Sequence, residues 1–184
     1  MSFAGMMLVG LALDLALGWP ERLHARIGHP VTWLGGVISA LELRLNTGAR
    51  GQRLAAGGIT ALAVVALAAA PALAVQGVLP DGIAGTLIGG VLAWPFIALR
   101  SMHDHVAAVA GPLAGGDLDA ARAAVAMIVG RDPALLDTAG VARAGIESLA
   151  ENTSDGIVAP VFWGAIAGLP GIAAYKALNT LDSM

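Results

Sequence analysis

The stretch LAAGGITALAVVALAAAPALAVQGVLP, Leu54 to Pro80, decides the fold. It holds no charged residue, and alanine, valine and leucine fill almost all of its centre from Ala61 to Val75. A helix needs about 20 apolar residues to cross the hydrocarbon core of a bilayer, and this stretch is long enough. Three others share its character. Met1 to Pro20 carries a single charge, Asp14, while Gly82 to Leu99 and Gly156 to Tyr175 carry none. The whole composition agrees: 57% of the 184 residues are hydrophobic, 12% are charged, and mean hydropathy is +0.77. Soluble domains run near 45–50% apolar and about 25% charged. A chain this short has too little interior to hide such an excess. The expected fold is all-α: a polytopic integral membrane protein with about four membrane segments (1–20, 54–80, 82–99 and 156–175) in a single membrane domain. Helical loops, 21–53 and 100–155, lie between the segments.

Charge placement supplies an orientation. Arg22, Arg26, Arg44, Arg50 and Arg53 lie between the first and second apolar stretches. Arg100, Arg122, Arg131 and Arg143 lie between the third and fourth, and the connection at Pro80 and Asp81 has no basic residue. Cytoplasmic loops carry the Lys/Arg excess, so alternating crossings put both arginine-bearing loops on the cytoplasmic side. The N-terminal stretch lacks a basic n-region and Asp14 interrupts its apolar core, which argues against a signal peptide. In the fourth stretch Gly168-Leu169-Pro170-Gly171 favours a turn. The stretch either crosses or folds into a re-entrant hairpin that returns the chain to its starting side; sequence leaves both open. The net charge of −3 offers no basic field for nucleic acid, and the absence of cysteine excludes thiolate metal sites, disulfides and thiol nucleophiles.

Between the apolar stretches the reading is ordinary. Val31, Leu34, Ile38, Leu41 and Leu45 recur at helical spacing after His29-Pro30, which fits an interfacial helix or a packing helix equally. Gly115-Gly116-Asp117 is a turn before a helix from Leu118 to Val129 that Gly130 ends. Asp132-Pro133 reads as a helix start, and Thr138 as the cap of a second helix. His103-Asp104-His105 reads as a solvated juxtamembrane turn, because residues two apart on a helix do not converge on a metal.

Three places carry candidate chemistry. Asp14 either faces a protein interior or water-filled path, as intramembrane carboxylates do, or is hydrated beside Gly18-Trp19-Pro20. Arg143, Glu147 and Glu151 are four apart and share a helix face, and Asp155 comes next if the helix continues. An exposed ladder of ion pairs explains them; so does a Mg²⁺ or phosphate site, since Mg²⁺ prefers carboxylates with phosphate oxygens and water. In the last run, Lys176 is the chain's only lysine, one turn before Asn179, which meets Asp182 on a helix. Taken alone, Lys176 reads as a snorkelling interfacial side chain.

Together these stretches resemble one family. They are Asp14 through Gly35 with His29-Pro30-Val31, and Ile128-Val129-Gly130-Arg131-Asp132. Further along come Arg143-Ala144, Ile146-Glu147-Ser148, Ala150 through Gly156, Ala159-Pro160, and Tyr175 through Met184. All look like the CobD/CbiB family of membrane-bound adenosylcobinamide-phosphate synthases of cobalamin biosynthesis. The resemblance implies ATP-dependent amide formation between adenosylcobyric acid and aminopropanol or its phosphate, with Mg²⁺ at the nucleotide. It implies Glu147, Glu151 and Asp155 at the metal, with Glu147 also among the catalytic groups. Asp182 or Asp14 would be the base, Asn152 and Asn179 would orient, and His29, Arg131 and Lys176 would meet substrate or phosphate. The alanine- and arginine-rich, lysine-poor composition fits a GC-rich bacterial genome and so an inner-membrane location; other cobalamin-assembly enzymes and further copies of the chain are the expected partners. Two departures stand out. Many members read Gly-Asp-Pro where this chain has Gly18-Trp19-Pro20, and the family continues beyond the motif that ends here at Met184, so the chain resembles an N-terminal part. The competing readings are a non-catalytic membrane scaffold of the same family and a corrinoid transporter component.

Overall fold

The computed structural model describes every residue except Arg131. Among the described residues the regular structure is helical throughout: α1 (Phe3–Leu17), α2 (Glu21–Ile27), α3 (Pro30–Leu45), α4 (Arg50–Val78), α5 (Gly82–Ala93), α6 (Leu99–Ala114), α7 (Leu118–Val125), α8 (Thr138–Thr153) and α9 (Ala159–Asp182). A 3₁₀ turn, Trp94–Phe96, follows α5, and a π-helical turn, Ser154–Val158, joins α8 to α9. Three helical stretches are long and apolar enough to cross a membrane, or four if α1 and the bent α2–α3 segment form one span. The protein is an all-α integral membrane protein. Its apolar excess faces outward, as lipid requires: Leu62 is 75% exposed, Ile83 79% and Leu8 67%.

The first and third stretches pack in parallel. Ser2 N donates to Thr86 Oγ1 at one end, and at the other Arg100 N donates to Asp14 Oδ2. Close approach rests on small residues, since a Cβ on Gly90 would collide with the Val9 side chain. Met6, Met7, Ala93, Ile97, Leu169 and Ile172 form the core beside this pair. The bundle therefore has two distinct ends. At one, the N-terminal ammonium lies 3.7 Å from Asp81. The described arginines all belong to segments that emerge at the other.

The fourth stretch re-enters. A straight helix would separate Asp155 from Asn179 by about 36 Å, yet Asn179 Nδ2 lies 3.1 Å from the Asp155 carboxylate. The reversal is at Gly168, with φ 68° and ψ −148°, followed by Pro170. From there the returning arm runs antiparallel to α4: Leu169 bonds Gln76, and Ala177 packs on Val64. The turn chemistry of Gly168-Leu169-Pro170-Gly171 thus outweighs the continuous apolarity of the stretch.

Between the membrane segments α6, α7 and α8 close a second small core on Val109, Ala121, Val125 and Val141. Three local expectations change. Helix α7 ends at Val125, short of Val129. Asp132 caps only a turn, accepting from Ala134 N, and it is Asp137 rather than Thr138 that caps α8, accepting from Gly140 N at 2.7 Å. His103-Asp104-His105 lies within α6 instead of a turn, all three side chains exposed.

Candidate functional site

Polar groups gather where the re-entrant hairpin opens, at the arginine-bearing end. Asp155 sits on the π-helical turn and meets the returning arm of α9 three times. Its carboxylate accepts from Asn179 Nδ2 at 3.1 Å and from the Tyr175 hydroxyl at 3.4 Å, and its backbone carbonyl accepts from Lys176 Nζ at 3.1 Å. Lys176 is only 8% exposed, and no carboxylate lies within ion-pair distance of it among the described residues. A buried ammonium held by one carbonyl keeps donors free for an anion. Thr180 Oγ1 in turn donates to the Lys176 carbonyl at 2.7 Å, which ties the arm internally.

The returning arm separates Asp155 from the other two carboxylates of the expected set. On an unbroken α-helix Glu147, Glu151 and Asp155 share a face. Asp155 lies on the π turn instead, where its carboxylate is taken up by Tyr175 and Asn179 of the returning arm. Glu147 and Glu151 remain together in an open cleft of about 410 Å³ with Asp132, Arg143 and Ser148. Among the described residues no group of three or more His, Asp or Glu side chains is placed to hold an ion. The structure does not gather Glu147, Glu151 and Asp155 as one three-carboxylate group. A pair of carboxylates one turn apart remains. That donor set suits Mg²⁺ only where substrate phosphate and water complete the octahedron.

The other candidates fall in different places. Asn152 donates to the Ser148 carbonyl at 2.8 Å and to Ser148 Oγ at 3.1 Å, while Ser148 Oγ donates to the Ile128 carbonyl, so this polar chain ties α8 to the cleft wall. Asp182 is exposed at the end of α9, one turn beyond Asn179. Arg131 lies outside the described residues. Asp14, only 3% exposed, accepts the backbone N–H of Arg100 at 2.9 Å. Since α6 begins at Leu99, the carboxylate caps its first turn from another helix, satisfying a donor that the helix cannot.

His29 caps α3: its Nδ1 accepts from Val31 N at 3.2 Å, and Thr32 closes a capping box. That bond leaves the ring proton on Nε2 when the imidazole is neutral. Burial holds His29 below its ordinary value, and the charge of nearby Lys176 acts in the same direction. The ring meets Trp19 edge-on at 5.1 Å, and Trp19 lies 5.6 Å from Trp94. Trp94 Nε1 donates to the Gly18 carbonyl, whereas the buried Trp19 Nε1 has no partner among the described residues.

Tyr175, Ser148 and Trp19 are not among the site residues expected from sequence. Tyr175 adjoins Lys176 in the quoted run, but its relation to Asp155 depends on the hairpin. Ser148 carries no signal beyond its place in the motif.

Comparison with known proteins points the same way. The model of the CobD/Cbib protein family matches residues 7–184. The "Cobalamin biosynthesis protein CobD" of Rhodobacter capsulatus is 66% identical over the whole chain, which spans 58% of that protein. Proteins of the same name from Sinorhizobium fredii and Brucella suis are 44% and 45% identical over 97% and 96% of the chain, which covers 56% and 55% of theirs. No solved structure matches. The chain spans little more than half the length of the curated relatives it matches, and it belongs to the CobD/Cbib protein family.

Proposed function

We propose that the chain is a membrane-embedded part of a cobalamin-biosynthesis enzyme that joins adenosylcobyric acid to aminopropanol, or its phosphate, through an amide bond at the expense of ATP. The observation that carries this reading is the mouth of the re-entrant hairpin. Lys176, Asp155, Tyr175 and Asn179 meet there, facing the same end of the bundle as the Glu147–Glu151 cleft. The family membership and the relatives' names support the pathway.

The reaction needs the free propionate activated by phosphoryl transfer from ATP, giving an acyl phosphate and ADP. The amine then attacks the acyl carbon, phosphate leaves, and a base takes the proton from the ammonium. Glu147 and Glu151 would hold Mg²⁺, which when bound shields nucleotide phosphate charge. Lys176, with donors free, binds the anionic propionate or phosphate. Asp155, oriented by Tyr175 and Asn179, faces the amine and serves as base, a role Asp14 is not free to fill while it caps α6. Asp182 is the second candidate for that proton. His29 borders the site through its proximity to Lys176, Asn152 stiffens the cleft wall, and Arg131 meets phosphate. The arginine-bearing end faces the cytoplasm of a bacterial inner membrane by the positive-inside rule, where soluble substrates reach it. Other cobalamin-assembly enzymes and further copies of the chain are the proposed partners.

Asp14 within an apolar stretch and a broken fourth stretch would also suit a transporter, but both have structural partners. Asp14 caps α6, and the helix break at Gly168 is capped by Gln76. The test is complementation in a bacterium lacking its own cobinamide-phosphate synthase and growing only if cobyric acid is converted. The chain is supplied alone and joined to the remaining part of a full-length relative. Growth with the joined form that Asp155→Asn abolishes is expected. Absence of growth with both forms shown to be in the membrane would move the assignment to a scaffold.

A further inference from the structure

Apart from Thr60, Gln76 is the one polar side chain in the Leu54–Pro80 stretch. Its Oε1 accepts the backbone N–H of Leu169 at 2.7 Å, across 93 residues of chain. Leu169 opens the returning arm of α9, and Pro170 beside it has no N–H to offer. Leu169 is buried, and a buried backbone N–H has to find a partner, so the turn is stable only where a side chain reaches it. The contact is also interlocked. Gly168 adopts φ 68°, and a Cβ there would collide with the Gln76 carboxamide.

We infer that Gln76 is a positioning residue for the site at the hairpin mouth: by capping the returning arm of α9 it sets Tyr175, Lys176 and Asn179 against Asp155. The lever is long. Asn179 lies about 15 Å along the arm from Leu169, so a tilt of about 5° at the tip moves it by about 1.3 Å. A misplacement of about 1 Å can lower a reaction rate by about a hundredfold. The hairpin closure is a property of this chain alone; its effect on amide formation rests on the function proposed above.

The chain has no cysteine, so a Phe162→Cys, Leu178→Cys pair gives two clean spin-label sites. They lie one on each arm, and both positions are 53% exposed. The full chain in lipid nanodiscs is measured by double electron–electron resonance with Gln76 native, Gln76→Leu and Gln76→Glu. A single narrow distance is expected in the native background. It should broaden and lengthen in Gln76→Leu, which keeps bulk but loses the acceptor, and return in Gln76→Glu, which keeps an acceptor oxygen. In the full-length enzyme, amide formation should fall roughly ten- to a hundredfold in Gln76→Leu and recover in Gln76→Glu. An unchanged distance in Gln76→Leu, or equal disruption in both variants, overturns the inference. The expected distances together with a native protein that forms no amide bond would sink the proposed function and leave the hairpin assignment standing.

Discussion

Gly18-Trp19-Pro20 and Gly168-Leu169-Pro170 are the same local device used twice. Each has a glycine at positive φ (58° and 68°) with extended ψ, and a proline two residues on. Their outcomes are opposite. After Gly18 the chain leaves the bilayer end into the charged α2, and after Gly168 it turns back through the membrane. The next residues in sequence account for part of this: Glu21-Arg22 must reach water, whereas Gly171-Ile172-Ala173 need not. The surroundings decide the rest. At the first break the Gly18 carbonyl accepts from Trp94 Nε1, and the flexible Arg100 side chain covers the glycine. At the second, the freed N–H of buried Leu169 has the Gln76 carboxamide as its partner. A break whose glycine faces a flexible side chain is forgiving, and a break that buries a freed backbone N–H has to be satisfied by a placed side chain.

Four substitutions probe that difference, in descending size of effect. Gly168→Val should be the most damaging, because it adds a left-handed β-branched residue and displaces Gln76 from the cap of the returning arm. A loss of at least about 3 kcal/mol is expected, read as a lower unfolding midpoint in mixed micelles. A loss below that of Gly18→Ala would mean that the two breaks are equally forgiving. Next comes Asp14→Leu, which leaves the first turn of α6 without its cap at a buried site. About 1–3 kcal/mol is expected, with Asp14→Asn recovering most of it, since an amide oxygen accepts equally well. If Leu and Asn behave alike, capping is not what Asp14 does.

Gly18→Ala is expected to cost about 1–2 kcal/mol from backbone strain alone. A Cβ there would lie 3.2 Å from Arg100 Cγ, a side chain able to move aside. The smallest effect is a pH dependence at the same corner. His29 is held below its ordinary 6.5 first by burial and then by the Lys176 charge, opposed in part by the Pro95 carbonyl. The unfolded chain then binds the proton more readily. His29's contribution is complete above 6.5 and falls as pH drops below that value. Tryptophan fluorescence should report loosening around Trp19 and Trp94 on acidification, and His29→Asn, which keeps a capping side chain, should flatten the profile. A profile unchanged in that variant would assign the effect to another group.

Much of this is legible in the sequence. The apolar stretches name the membrane segments, and the arginines mark one end of the bundle. The run from Ile146 to Gly156 and the run from Tyr175 to Met184 point to the family and contain most residues of the candidate site. What spacing does not show has a common cause. Spacing suggests one face for Glu147, Glu151 and Asp155, and the returning arm that engages Asp155 is invisible to spacing. Asp132-Pro133 carries a proper start signal, but the helix begins at the next acceptor, Asp137. Asp14 suggests chemistry because an isolated carboxylate in a span is costly. Its partner, the Arg100 N–H, is 86 residues away and has no side-chain signature.

Composition and periodicity therefore determine what this chain is made of: apolar helices, their ends, and a polar motif at one boundary. These are local consequences of hydrophobic length and turn chemistry, which act over a few residues. Whether the fourth stretch crosses or returns is a tertiary decision. It depends on whether a neighbouring helix supplies an acceptor at the depth where the backbone breaks, and Gln76 supplies it. Only that return brings Tyr175, Lys176 and Asn179 to Asp155, and residues 20 to 24 apart become one site.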